Sequence, residues 1–248
     1  MSERRFLVPP GSLAAGAGTR VILRGDEHHH LARVLRLAAG DAVGLFDGAG
    51  AGCLGRVERI ERDATQVMVE RLDDRAVEPR RMVTLAQAIP RNPDRMDLVV
   101  QKTTEVGVSR IVPVVAERSV ARPGQGSRTR LERWRRIAAD AARQSGRLRI
   151  PAVDGPVPWE EFLRRSEESD VRLVLSTEDP AAAPLAGAAG AGSVIIAVGP
   201  EGGWSDGDLA GARAAGYRSV RLGPRILRSE TAGIVAVALA LYEAGDLS

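Results

Sequence analysis

The second two-thirds of the chain alternates short apolar runs with longer segments that repeat apolar residues at helical spacing. The apolar runs lie at residues 82–88, 110–115, 171–175 and 194–198. Unbroken runs of this length are typical of strands that are buried on both faces of a parallel sheet. They predict the central layer of one domain.

The segments between these runs predict helices at residues 94–106, 130–145 and 158–166. Each places its apolar residues on one side and its charged residues on the other. The last helix, residues 232–242, is almost wholly apolar. Regular alternation of strand and helix predicts an α/β fold.

The N-terminal part has a different pattern, with strands predicted at residues 19–23, 42–46, 52–60 and 66–70 and one helix at 27–37. Glycine- and aspartate-containing turns separate these strands, which predicts a small β-barrel. Residues 73–79 are polar and lack apolar periodicity. We therefore predict two domains, residues 1–74 and 75–248.

Positive charge in this chain is carried almost entirely by arginine, because Lys102 is the only lysine. The formal net charge is only +3, but the sequence pI is near 9.7. Arginine contacts phosphate with two donors and stacks on bases, so the excess permits an RNA partner. A compositional bias towards Arg, Ala and Gly would give the same count.

Several classes of protein are disfavoured. Cys53 is the only cysteine, so an intramolecular disulfide or a cysteine metal cluster is excluded. Neighbouring residues on a helix point about 100° apart, so His28, His29 and His30 cannot converge on one metal ion. The N-terminus lacks a signal-peptide pattern, and the apolar run at residues 234–242 is short of the ~20 residues of a membrane helix. We expect a cytoplasmic protein with no metal and no membrane contact.

Two glycine-bearing loops follow predicted strands near the C-terminus, at residues 199–203 and 222–232. The carboxyl ends of parallel strands are the usual ligand position in an open α/β sheet. Neither loop has the spacing of a Walker loop or of a dinucleotide fingerprint, which disfavours a nucleotide-dependent oxidoreductase. A single glycine loop could be only a tight connection, but the pair predicts an active site.

The two loops read GPEGG and LGPRILRSETA, and together they resemble the signature of the RsmE-type methyltransferases of the SPOUT superfamily. The resemblance extends to Arg5-Phe6, EHHHLARVLR at 27–36, LFDG at 45–48, QKTTEVGV at 101–108, ERS at 117–119 and RQSGR at 143–147. Two departures are Arg95, where lysine is expected, and Ala142-Arg143-Gln144, where Cys-Glu-Gln is more usual.

This resemblance implies an α/β SPOUT domain with a deep trefoil knot, a PUA-like N-terminal β-barrel and a homodimer. It also implies S-adenosyl-L-methionine as the methyl donor, held by backbone atoms of the knot loops. The implied cofactor-binding residues are Leu175, Ser176, Gly199, Pro200, Glu201, Gly202, Gly203, Leu222, Gly223, Ile226, Leu227, Thr231 and Ala232.

Family members methylate N3 of a uridine in 16S ribosomal RNA, so the expected partner is that RNA or the small ribosomal subunit. This reaction needs a proton acceptor and donors aimed at O2 and O4 of the base. Arg228 and Glu230 flank the second loop and are the candidate catalytic residues. The alternatives are an ion pair between them that shapes the loop, and a helix-capping role for Glu230.

Arg5, His30, Arg33 and Arg36 are the candidate RNA-binding residues, since arginine and histidine suit contacts with phosphate. A solvated basic helix face is the alternative for any one of them. Two other functions stay open: a SPOUT enzyme that methylates another position such as a ribose 2′-hydroxyl, and an inactive RNA-binding module.

Overall fold

The computed structural model describes residues 4–119, 127–165, 169–185 and 192–247. It divides into two compact units, one of Met1–Glu78 with Ala139–Ile150 and one of Pro79–Ala138 with Pro151–Ser248. The sequence also predicts a loop at residues 121–128 and a loose Ala/Gly-rich connection at 180–192. Most of the first segment and much of the second lie outside the described residues.

The first unit is built on a five-stranded sheet in the order β1-β3-β4-β5-β2. Its strands are β1 (Arg5–Leu7), β2 (Arg20–Arg24), β3 (Ala42–Phe46), β4 (Gly52–Ile60) and β5 (Ala64–Leu72). β1 pairs parallel with β3, and the other neighbours are antiparallel. Side chains from one face of these strands form the core, including Phe6, Leu45 and Val67, each at most 1% exposed.

One helical segment interrupts the strands of this unit. Helix α1 (Gly25–His29) continues directly into a π-helical turn at His30–Val34. His28 is buried and its ring nitrogens contact the Thr65 hydroxyl at 2.8 Å and the Arg62 carbonyl at 3.2 Å. The helical segment begins two residues before the predicted segment 27–37 and ends three residues before that segment's end. Arg36 has a φ of +52°, a left-handed conformation in which the helix cannot continue.

Residues 139–150 belong to the first unit because a buried polar cluster ties them to its strands and to Glu78. The Glu78 carboxylate accepts hydrogen bonds from Arg147 Nη2 at 2.8 Å and from the backbone N–H groups of Leu148 at 2.8 Å and Arg149 at 2.9 Å. Arg5 is 6% exposed and donates to the Arg147 carbonyl at 3.1 Å. The first stretch of the first unit therefore ends at Glu78, a few residues beyond the boundary expected after residue 74. Residues 139–150 form a second stretch of the same unit.

The second unit is built on an eight-stranded sheet in the order β11-β13-β10-β12-β6-β7-β8, with β9 also paired to β7, and the pairs are parallel. Its strands are β6 (Met82–Ala88), β7 (Arg110–Val115), β8 (Ala152–Val153), β9 (Val157–Pro158), β10 (Val171–Leu175), β11 (Ala183–Pro184), β12 (Ser193–Val198) and β13 (Arg218–Arg221). The α/β prediction is confirmed; the two-residue strands have no periodicity and could not be predicted.

The remaining helices are α2 (Pro93–Val106), α3 (Ser127–Ser145), α4 (Trp159–Arg165), α5 (Asp206–Ala214) and α6 (Ser229–Glu243). One face of the sheet packs Ile195 and Ala197 of β12 against Trp159 of α4 and Leu209 of α5. Helix α6 packs against α2, β6 and β12. Within the described ranges, no helix is long and apolar enough to cross a membrane.

Glu78→Ala should lower the free energy of unfolding by about 2 kcal/mol, because it leaves Arg147 buried without its carboxylate and two backbone donors unpaired. Chemical denaturation followed by circular dichroism measures this loss. Hydrogen exchange at the amides of Leu148 and Arg149 should accelerate. Glu58→Ala is the matched control, since its pair with Arg20 is exposed and should contribute far less. Equal effects in both variants would contradict this account of Glu78.

Candidate functional site

Three neighbouring strands of the second unit end at the same edge of its sheet. β13, β10 and β12 are adjacent and parallel, so their carboxyl ends at Arg221, Leu175 and Val198 lie side by side. The loops that follow enclose a pocket of about 420 Å³. The lining residues are Leu175, Ser176, Thr177, Glu178, Val198, Gly199, Pro200, Glu201, Gly203, Trp204, Val220, Arg221, Leu222, Arg225, Ile226, Leu227, Arg228, Ser229 and Ala232.

The glycine loop after β12 is fixed from both sides. Trp204 is 4% exposed, and its indole N–H donates to the Leu175 carbonyl at 2.9 Å. A Cβ on Gly199 would lie 3.0 Å from the Trp204 ring nitrogen, a contact tight enough that the close approach of the indole favours glycine there. On the other side, the Ser229 hydroxyl donates to the Gly199 carbonyl at 2.6 Å. The loop is thereby attached to the end of β10 and to the start of α6.

The loop after β10 is held by Asp179, a buried carboxylate. It accepts hydrogen bonds from the Ser219 hydroxyl at 2.5 Å, from Arg213 at 2.6 Å and from the backbone N–H of Ala181 at 2.9 Å. These bonds, led by that from Ser219, lower the pKa of Asp179 from 3.8 to about 2. The backbone N–H of Asp179 in turn donates to the Ser176 hydroxyl at 3.1 Å. The pocket wall is thus connected to β13 and α5.

Charged side chains join the pocket loops at the surface. Arg118, which follows β7, donates to the Gly202 carbonyl at 3.2 Å and lies 3.8 Å from Glu178. Arg95 of α2 lies 3.6 Å from both Glu201 and Glu230. The backbone N–H of Arg91 donates to Glu201 at 3.1 Å. Arginines outside the pocket therefore hold carboxylates from both C-terminal loops.

Comparison with known proteins gives consistent results. Residues 77–241 match the RNA methyltransferase domain family, and residues 23–68 match the RNA methyltransferase PUA domain. Ribosomal RNA small subunit methyltransferase E of Mycobacterium bovis is 37% identical over 227 residues, which cover 89% of this chain and 85% of that protein. The chain belongs to this methyltransferase family. The resemblance inferred from the loop motifs is confirmed.

The fold agrees with solved structures of the family. Methyltransferase E of Neisseria gonorrhoeae, solved with bound S-adenosyl methionine, has a TM-score of 0.86 and 34% identity, with 95% of each chain covered. A methyltransferase of Legionella pneumophila, also solved with this cofactor, has a TM-score of 0.83 and 28% identity, with 97% of this chain and 98% of that chain covered.

Most of the predicted cofactor-binding residues of this chain line the pocket described above. The residues that line it are Leu175, Ser176, Gly199, Pro200, Glu201, Gly203, Leu222, Ile226, Leu227 and Ala232. Gly202, Gly223 and Thr231 are exposed and do not contribute to its wall. Their part in cofactor binding stays a prediction.

The two candidate catalytic residues are placed differently. Arg228 is exposed at the pocket wall and makes no ion pair within the described residues. Glu230 is 6% exposed, lies outside the pocket lining and faces Arg95. The alternative ion pair between Arg228 and Glu230 is therefore absent here. A general-base role for Glu230 stays a prediction that its burial does not favour.

The candidate RNA-binding residues also divide into two groups. Arg33 and Arg36 are exposed, and His30 is half-buried. Burial, with Arg143 adding a smaller effect, lowers the pKa of His30. Arg5 differs from expectation: it is buried, bonded to the Arg147 carbonyl and stacked 5.1 Å above the Phe46 ring centre. Its guanidinium is bonded inside the first unit, which does not favour a contact with RNA, and its RNA-binding role stays a prediction.

Four side chains that hold the pocket loops in place were not predicted from the sequence. They are Trp204, Asp179, Ser229 and Gln87. Trp204 directly follows GPEGG, and Ser229 lies within the second motif. Their closeness to the motifs in sequence was the one signal that could have identified them. Asp179 and Gln87 carried no local signal, because their partners are distant in sequence. No group of three or more potential metal ligands occurs in the part of the chain that the structure describes.

Asp179→Asn should flatten the acid limb of the stability curve. A pKa lowered from 3.8 to about 2 means that the folded state binds its proton less readily than the unfolded state. The ionised group therefore stabilises the fold above about pH 4, and this contribution is lost as the pH falls towards 2. Acid denaturation of the wild type and variant measures the difference, with Asp74→Asn as an exposed control. Parallel acid limbs in all three proteins would rule out this role.

Proposed function

We propose that this chain is an S-adenosylmethionine-dependent methyltransferase that methylates N3 of a uridine in 16S ribosomal RNA. The supporting observation is the pocket at the ends of β10, β12 and β13, built from the two loops that carry the family signature. The relatives from Neisseria gonorrhoeae and Mycobacterium bovis, at 34% and 37% identity, are named for the small-subunit ribosomal RNA. The same family supports uracil N3 as the methylated position.

The residues of the pocket fit the proposed cofactor. A volume of about 420 Å³ is within the usual range for a small-molecule site. Its apolar wall includes Val198, Leu222 and Leu227, and Ser176 and Thr177 supply hydroxyl groups. Such a lining suits a neutral adenine and a ribose, which need shape and a few hydrogen bonds rather than a phosphate cradle.

When bound, S-adenosylmethionine supplies a methyl group activated by its positive sulfonium. The protein must orient the uracil and stabilise the negative charge that develops on O2 and O4 when the N3 proton leaves. Arg228 is positioned for this role, because it is an exposed cation at the pocket wall with no ion-pair partner in the described chain. Glu230 is the candidate proton acceptor from sequence, and its contact with Arg95 favours a loop-shaping role.

We assign RNA recruitment to the first unit, as a PUA-like β-barrel, through Arg33 and Arg36, which are exposed and unpaired within the described residues. We also propose that the second unit carries the trefoil knot of its family. A homodimer is proposed through α2 and α6, which pack together and expose Leu98, Leu239 and Tyr242. An exposed apolar group of this kind favours association. Ribosomal RNA as substrate supports a cytoplasmic enzyme.

The function is tested by incubating the purified protein with 16S RNA or small subunits and S-adenosylmethionine, followed by mass spectrometry of nucleosides. The expected product is 3-methyluridine. Ribose-methylated uridine would indicate a SPOUT enzyme that methylates the ribose 2′-hydroxyl instead of N3. Absence of both methylation and cofactor binding in calorimetry would indicate an RNA-binding module.

Arg228→Ala should lower kcat about 100-fold, the usual cost of removing one donor to a developing anion. The dissociation constant for S-adenosylmethionine should change little, because Arg228 is assigned to the base. Single-turnover methylation and calorimetry measure the two quantities. Arg218→Ala, an exposed arginine at the opposite end of β13, is the control and should behave as wild type. Near-normal turnover of the Arg228 variant at saturating RNA would exclude the charge-stabilising role.

A further inference from the structure

A buried chain of hydrogen bonds runs beside the pocket, from the end of β6 through the start of α6 to the glycine loop. Gln87 Nε2 donates to the Ser229 hydroxyl oxygen at 2.8 Å, and this hydroxyl donates to the Gly199 carbonyl at 2.6 Å. Gln87 is 0% exposed and Ser229 is 7% exposed. Gln87 pairs with Val198 in the sheet register, directly before Gly199. We call these three groups the Gln87 relay.

The direction of the relay is fixed by chemistry. Gln87 Nε2 also contacts the Ala88 carbonyl at 3.2 Å, and a carbonyl can only accept, so the amide nitrogen must face that side. The nitrogen therefore donates to Ser229, whose single proton is left for Gly199. Each bond in such a chain polarises the next, and the low-dielectric interior strengthens both.

The other end of the Gln87 amide explains a glycine inside an otherwise apolar helix. Gln87 Oε1 is buried without a hydrogen-bond partner and lies against Gly233 of α6. A Cβ at residue 233 would approach it to 2.4 Å, so a side chain there would displace the amide. Glycine inside a helix is less favourable than alanine. The relay supplies a reason for glycine at this position.

We propose that Gln87 and Ser229 are positioning residues that set the affinity of the pocket for its methyl donor, with Gly233 giving Gln87 the space to act. They act through the Gly199 carbonyl. Pro200 has no N–H, so the Gly199 carbonyl is the only hydrogen-bonding group of the peptide between residues 199 and 200. Because a peptide is planar, holding this carbonyl also sets the orientation of the peptide at which the glycine loop begins. Gly199, Pro200 and Ser229 all line the pocket. The proposal rests on the proposed function and deepens it.

Ser229→Ala is the principal test, because removing this one oxygen removes both hydrogen bonds of the relay while Gln87 keeps its contact with the Ala88 carbonyl. We expect the dissociation constant for S-adenosylmethionine, measured by calorimetry, to rise about 10-fold or more. At saturating cofactor, kcat should stay within about 3-fold of wild type. Ser229→Thr keeps the hydroxyl and should restore the affinity.

Gly233→Ala should reproduce the effect of Ser229→Ala, since the new methyl group displaces the Gln87 amide. Gly207→Ala is its matched control: Gly207 also lies in a helix, and a Cβ there would meet its nearest neighbour at an ordinary 3.7 Å. Thr103→Val controls for loss of a buried hydroxyl, because Thr103 bonds the Val99 carbonyl within α2. Both controls should bind the cofactor as wild type, whatever their melting temperatures.

The outcomes separate the relay from the function on which it rests. If wild-type protein binds no S-adenosylmethionine, the proposed function fails. If the wild type binds while Ser229→Ala and Gly233→Ala bind equally well, the relay proposal is overturned and the function stands. Affinity lost equally in Thr103→Val would also overturn it, because the effect would then be general destabilisation. Circular dichroism at the assay temperature verifies that each variant is folded.

Discussion

The site depends on three parallel strands that lie side by side and end at one edge of the sheet. β13, β10 and β12 have no covalent connection at this edge, so their loops must be held together by contacts alone. Trp204 attaches the glycine loop to the end of β10, and Ser229 attaches it to α6. Glycine at 199 suits this packing because a Cβ there would crowd the indole at 3.0 Å. Pocket shape is therefore a property of these cross-connections rather than of any single loop.

Buried and half-buried polar groups carry much of this organisation, because they bond partners from other elements of the fold. Asp179 binds Ser219 and Arg213, and Glu78 binds Arg147 and the amides that follow it. Burying such groups is favourable only when their hydrogen bonds are complete, so each cluster admits few alternative arrangements. The clusters thus allow fewer conformations of the loops and of residues 139–150 than apolar packing would.

The arginine excess has two uses that composition cannot distinguish. Some arginines are structural: Arg147 is 5% exposed, and Arg95 lies between two carboxylates of the pocket loops. Arginine suits this use because its planar fork can face two acceptors at once, whereas a lysine ammonium acts as one point charge. Others, such as Arg33 and Arg228, are exposed without an ion-pair partner in the described chain. Only the second group is available to RNA, which makes the total charge a poor measure of RNA binding.

Periodicity and motifs are local signals, and they were sufficient to predict the α/β class, the main strands and helices, the two glycine loops and the family. Strand 82–88 and strand 110–115 were predicted at their observed bounds. The residues that hold the loops could be identified only from the folded chain. Gln87 and Ser229 are separated by 142 residues, and Asp179 and Ser219 by 40. The tertiary structure also placed Arg5 in the interior and Glu230 against Arg95. Such pairings arise from the order of strands in the sheet, and no local pattern in the chain encodes that order.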